Sequence, residues 1–218
     1  MRISILGTGN VGDTIGSKLV ELGHDVMMGS RSANNEKALA FVAKQSGKAS
    51  AGTFADAAAF GEIIFNCTKG EASLDALKLA GAALDGKILI DVANPLDFSR
   101  GMPPGLVPAL SNFNSLGEEI QRTFPNVKVV KTLNTMWCGL MINPRMIGDG
   151  NHINYLCGNE AEAKEKVRAL LKTFGWKDEQ LLDLGDITNA RGTEAVLPIW
   201  LRVWGATKTG AFNFGIVR

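Results

Sequence analysis

The chain has 218 residues, 45% hydrophobic and 21% charged, which suffices for one globular domain with a modest appendage and excludes a disordered or collagen-like polymer. A formal net charge of +1 provides no long-range field that would gather nucleic acid or an anionic membrane, so the expected partner is a small molecule.

Arg2-Ile3-Ser4-Ile5-Leu6 is a short apolar run ended by glycine, and Val11, Ile15, Leu19 and Leu22 follow at spacings of three or four. This pattern predicts a strand, a tight turn and a helix that stops at Gly23. Asp25 to Met28 reads as a second strand and Asn35 to Gln45 as a helix. Ile63-Ile64-Phe65 and Ile88 to Val92 are near-continuous apolar runs, as expected of strands covered on both faces, with a helix from Ser73 to Leu84 between them. Asn94 to Asn114 mixes four prolines with Gly101 and Gly105 and has no period, which predicts a long loop or lid beside an active-site edge. Ser115-Leu116-Gly117-Glu118 has the spacing of a capping box, and Val127 to Lys131 reads as the next strand. A smaller unit follows: strand Ile153 to Cys157, helix Glu160 to Phe174, strand Leu181 to Leu184 and helix Asn189 to Trp204. The expected fold is α/β, a Rossmann-type doubly wound parallel sheet over residues 1–150 with a small C-terminal α/β extension over 151–218.

The first strand begins at Arg2, leaving no room for a secretion signal, and no apolar stretch approaches the ~20 residues that span a bilayer. A cytoplasmic protein is expected. Cys67, Cys138 and Cys157 are too far apart for a disulfide framework or a metal knuckle, so no metal site is expected.

Gly7-Thr8-Gly9-Asn10-Val11-Gly12 matches G-x-G-x-x-G, and it stands where the mechanism needs it, after a strand and opening a helix. Gly7 permits the turn, Gly9 lets the backbone approach a pyrophosphate, and Gly12 lets the helix pack against the sheet. At the end of the second strand, where an acid would hold the adenine ribose of NAD, the chain has Gly29-Ser30-Arg31-Ser32. Two hydroxyls and a guanidinium, with Lys37 beyond, suit a 2′-phosphate and predict NADP(H). In an open parallel sheet the ligand crosses the carboxyl ends of the strands. Cys67, Thr68, Lys69, Ala93, Asn94, Pro95, Asn134 and Thr135 are therefore further cofactor-binding candidates. Met136 and Trp137 read equally as a wall against a flat ring or as core. No catalytic residue is assigned: His24 and His152 lie in turn and strand-start positions, no base accompanies Cys67, and Arg191 and Glu194 are expected to pair with each other.

With these motifs, Asn94-Pro95-Leu96, Lys131-Thr132-Leu133-Asn134-Thr135, Asp183-Leu184-Gly185-Asp186 and Phe212-Asn213-Phe214, the whole chain resembles the NADP oxidoreductases that use the deazaflavin coenzyme F-420. The resemblance implies a Rossmann domain with a small extension, usually homodimeric, and hydride passing directly between the nicotinamide and a deazaflavin ring. Such a reaction needs stacking, orientation and water exclusion more than a proton donor. Cys67-Thr68-Lys69-Gly70-Glu71 departs from the apolar, proline-containing segment common in that family, near where the second ring would lie, so the resemblance carries the cofactor over better than the acceptor, which is expected to be a deazaflavin, a flavin-like ring or an unidentified small molecule. Two competing readings are an NADPH-dependent reductase of a small carbonyl or imine and a non-catalytic NADP(H)-binding sensor.

Overall fold

The computed structural model describes residues 1–45 and 47–217. In chain order, its first half comprises β1 (Arg2–Leu6), α1 (Asn10–Glu21), β2 (Asp25–Ser30), α2 (Glu36–Lys44), β3 (Ala49–Thr53), α3 (Phe54–Phe60), β4 (Ile63–Asn66), α4 (Gly70–Ala80) and β5 (Ile88–Asp91). The second half comprises β6 (Leu96–Asp97), β7 (Gly105–Leu106), α5 (Leu116–Thr123), β8 (Lys128–Thr132), α6 (Cys138–Ile142), β9 (Asn154–Cys157), α7 (Ala161–Thr173), β10 (Leu181–Asp183), α8 (Ala190–Ala195) and α9 (Leu197–Thr207).

Among the described residues, eight strands form one sheet in the order β10-β9-β8-β5-β4-β1-β2-β3. From β3 to β8 every pairing is parallel, the doubly wound order that leaves a crevice where the chain changes direction between β1 and β4. The last two strands extend the same sheet, β9 antiparallel to β8 and β10 parallel to β9. One face is packed by Ile15, Leu19, Phe41, Val167 and Leu171, the other by Leu77, Leu84, Leu116 and Ile120. Ile3, Ile5, Ile64, Phe65 and Ile90 are fully buried, as the continuous apolar strand runs require.

The structure also departs from the sequence expectations. Between residues 45 and 63 lie β3 and α3, neither predicted. Ala49-Ser50-Ala51-Gly52-Thr53 has no apolar run; it is a strand because its backbone pairs with β2 at the sheet edge. Helix α3 starts at a capping box in which Thr53 accepts from the Asp56 N–H and Asp56 accepts from the Thr53 N–H. The helix expected from Asn189 to Trp204 is instead two, α8 and α9, because Pro198 has no N–H with which to continue the ladder. The loop from residue 94 to 114 carries the short antiparallel pair β6–β7, with Phe98, Met102 and Phe113 exposed.

The C-terminal helices are joined to the sheet by a buried charge network. The Lys131 ammonium at the end of β8, wholly inaccessible to solvent, lies 2.8 Å from Asp91 Oδ2 and 2.8 Å from Glu194 Oε1 and donates to the Ala93 carbonyl. Glu194 also accepts from the N–H groups of Leu116 and Gly117 at the start of α5, at 2.9 and 3.0 Å. Burial works against the charged form of Lys131, but Asp91 and Glu194 outweigh it and hold the ammonium above its ordinary range. Arg191 and Glu194 therefore do not pair with each other. Arg191 points to Glu118, making bonds of 2.8 and 2.6 Å, because the buried ammonium claims Glu194.

Removing one member of such a network leaves uncompensated charge in the interior. Lys131→Met, which strands two carboxylates, is expected to lose about 3–5 kcal/mol of stability in urea unfolding.

Candidate functional site

A cleft of about 640 Å³ opens at the carboxyl ends of β1, β2 and β4, along the crevice where the sheet topology reverses. Its floor is the turn between β1 and α1. Gly7 has φ +116°, and a Cβ there would stand 2.6 Å from the Cys67 carbonyl. At Gly12 a Cβ would lie 2.3 Å from the Gly7 carbonyl, so the first turn of α1 closes directly over the strand end. At Gly9, among the described residues, a Cβ would meet nothing within 4 Å. Among those residues no side chain caps α1, so Gly9 to Gly12 present bare backbone and the positive end of the helix.

Of the residues predicted from sequence, Gly7, Thr8, Gly9, Ser30, Arg31, Lys37, Cys67, Thr68 and Lys69 line this cleft. Asn10, Val11 and Gly12 form the first turn of α1 beside it. The Ser30 hydroxyl is buried and taken up within its own turn, donating to the Ser32 carbonyl at 2.6 Å and accepting from the Ser32 N–H at 3.2 Å. Arg31 and Lys37 are exposed and, among the described residues, form no ion pair.

Further lining comes from Asn35, Phe54, Ala72, Asp75, Ala76 and Leu79, which sequence reasoning did not single out. Ala72, Ala76 and Leu79 recur at helical spacing on α4, a signal present in the sequence but without a direction until the helix is placed. Asn35 uses its Oδ1 to cap α2. Asp75 is the one carboxylate among the lining residues and lies 3.7 Å from Lys78.

Ala93, Asn94, Pro95, Asn134 and Thr135 gather at the ends of β5 and β8, outside that cleft. Asn134 donates to Asn94 Oδ1 at 2.9 Å, and Asn94 donates to the Asn134 carbonyl at 2.8 Å. The first residue of α4, Gly70, joins the two regions, since a Cβ there would stand 2.0 Å from the Asn94 carbonyl. Met136 is core, whereas Trp137 stays 40% exposed with its ring against Gly139 and Gly210.

The side chains considered for proton transfer lie elsewhere or are unreactive. His152 is buried, with Nε2 2.8 Å from the Pro144 carbonyl and Nδ1 2.8 Å from the Asn213 amide. His24 sits by the N-terminal amine, and burial followed by that ammonium lowers its pKa. Burial, aided by the Asp91 carboxylate, pushes the Cys67 thiol far above its ordinary value, which disfavours the nucleophilic thiolate.

The family model of coenzyme F420-dependent NADP oxidoreductases matches residues 2–95, the part that carries the glycine turn and most of the cleft. A solved structure from Arthrobacter sp. FB24, provisionally described as an F420-dependent NADP-reductase, is 49% identical and superposes with a TM-score of 0.93, covering 100% of both chains. The chain belongs to this family of NADP-dependent oxidoreductases. Metalloreductase STEAP3 of Rattus norvegicus is 32% identical over 206 residues, or 91% of this chain; the chain spans 38% of that relative's length. An imine reductase from Myxococcus stipitatus shares the fold at 17% identity, with a TM-score of 0.63 over 94% of this chain and 62% of its own. Among the described residues of this chain, no helix is long and apolar enough to cross a membrane, and no cluster of side chains suits a metal.

The glycine geometry separates folding from the open floor of the cleft. Gly12→Ala should cost about 1–3 kcal/mol through overpacking against Gly7, whereas Gly9→Ala should leave the thermal midpoint of the free protein unchanged.

Proposed function

We propose that the cleft holds NADP(H) and that the protein passes hydride between its nicotinamide and a deazaflavin or flavin-like ring, acting as a homodimer in the cytoplasm. The observation that carries the reading is the pair of cations Arg31, just after β2, and Lys37, in the first turn of α2, which line the cleft with no ion-pair partner among the described residues, while the one lining carboxylate, Asp75, belongs to α4. A 2′-phosphate placed there is met by the guanidinium fork and by Lys37, with Ser30 and Ser32 shaping the turn beneath it.

The fit extends along the cleft. The bare floor at Thr8 and Gly9 and the uncapped start of α1 at Asn10, Val11 and Gly12 suit a pyrophosphate. Phe54, Ala76 and Leu79, which also line the cleft, offer apolar surface to an adenine ring. Past Cys67, Thr68 and Lys69, the cleft leads to Gly70 and so to Ala93, Asn94, Pro95, Asn134 and Thr135, where the nicotinamide ribose and ring would lie. When bound, the dinucleotide supplies the hydride chemistry. The chain's own task is to orient two flat rings and exclude water, which agrees with the inert thiol and the structural histidines. Residues 1–150 would then hold the nucleotide and residues 151–218 complete the cleft for the second ring. Helix α9 leaves Ile199 and Trp204 exposed, and for a homodimer light scattering should return twice the chain mass.

Arg31→Ala should weaken NADPH binding by about 1.5–3 kcal/mol, the scale of a charge-assisted hydrogen bond, and leave NADH nearly unaffected in a parallel titration. Equal losses for both cofactors would remove the 2′-phosphate assignment. For the acceptor, stopped-flow mixing of the NADPH-loaded protein with a deazaflavin, FMN and a quinone should show fast loss of NADPH absorbance with the deazaflavin or FMN. Turnover confined to simple ketones or imines would refute it.

A further inference from the structure

The turn that departs from the family pattern, Cys67 to Glu71, is held by side-chain hydrogen bonds centred on Asn66, a residue with no solvent exposure. The Asn66 Nδ2 group donates to Asp91 Oδ1 at 2.8 Å and to Ser73 Oγ at 3.1 Å. Its Oδ1 accepts from the Thr68 hydroxyl at 2.7 Å and from the Thr68 N–H at 3.3 Å. All four hydrogen-bonding positions of the carboxamide are thus filled. Its orientation is forced, because a carboxylate only accepts and Asp91 must therefore face the amide nitrogen.

Asp91 is in turn held by Lys131, and Lys131 by Glu194 on α8. One continuous chain of hydrogen bonds runs from Thr68 in the cleft through Asn66, Asp91 and Lys131 to Glu194, and ends on the N–H groups of Leu116 and Gly117 at the start of α5. Apart from Thr68, no member of this chain lines the cleft. Apart from Thr68, which is half-buried at the cleft, the groups are buried, so water and salt do little to weaken the links between them.

Resting on the NADP(H) reading above, we propose that Asn66 is a positioning residue that couples occupancy of the dinucleotide cleft to the C-terminal helix α8 and the start of α5. It acts through Thr68 on one side and through Asp91, Lys131 and Glu194 on the other. A ligand that fixes the Cys67–Lys69 turn then also fixes Glu194, and through it the α5 amides. The coupling is reciprocal, as linkage demands.

Amide hydrogen exchange on the wild-type chain tests this directly. Saturating NADPH should slow exchange in the cleft turns and also at Leu116 and Gly117, which do not line the cleft. Glu194→Gln, made at the far end of the chain, should weaken NADPH binding by about five-fold, the lower end of allosteric couplings, with the same relative loss for NADH. Asn66→Ser should abolish the slowing at Leu116 and Gly117 while leaving that at Gly9 to Gly12. A merely structural network would lower the melting temperature of these variants without altering cofactor affinity or the exchange pattern. Protection confined to the cleft in the wild type would overturn the coupling and leave the cofactor reading standing. Protection nowhere would overturn both, and the wild-type measurement decides even if a variant fails to fold.

Discussion

An ammonium group with no access to water has to find its acceptors within the protein, and Lys131 finds three: Asp91 on β5, the carbonyl of Ala93 just beyond it, and Glu194 on α8. Their positions are set within hydrogen-bonding distance by the cost of leaving such a charge unpaired. Much of the arrangement at the carboxyl edge of the sheet follows. Ala93 marks the start of the long loop after β5, and Leu116, whose N–H is held by Glu194, marks its end. The loop from 94 to 114 is therefore anchored at both ends to one buried cluster, although much of its length is exposed.

The two ends of the proposed site rest on different physics. At the proposed nucleotide end the cations Arg31 and Lys37 are solvated, so their attraction for an anion would be screened by salt and would contribute selectivity between cofactors more than rigidity. Toward the nicotinamide end the groups are buried and mutually bonded, as in the Asn94–Asn134 pair and the Asn66–Asp91 link. Such groups hold geometry in a way that exposed side chains cannot. This division suits the proposed hydride transfer, in which one molecule would be recognised by charge and two rings held in register.

The parts of the fold readable in advance are those in which neighbours along the chain decide the outcome. The Gly7–Gly12 turn, the continuous apolar strands β4 and β5, and the Ser115 cap, where the side chain accepts from the Glu118 N–H, all depend on residues within a few positions of one another. Strand β3 could not be read this way, since its small and polar residues have no strand period and its conformation comes from pairing with β2. The spacing of Arg191 and Glu194 suggested a local ion pair, yet each is taken by a distant partner, because a buried countercharge outweighs an exposed pair at i,i+3.

By itself, then, the sequence determined the Rossmann-type architecture and which turn and cations come to line the cleft, because a glycine turn between strand and helix and an arginine after the second strand act through local backbone and chain position. Only the tertiary structure decided which face of α4 lines the cleft, that Thr68 turns its hydroxyl inward to Asn66, and that the C-terminal helices are tied to the sheet through Lys131. Those features depend on which distant groups burial leaves as hydrogen-bonding partners, and residue spacing along the chain carries no record of that.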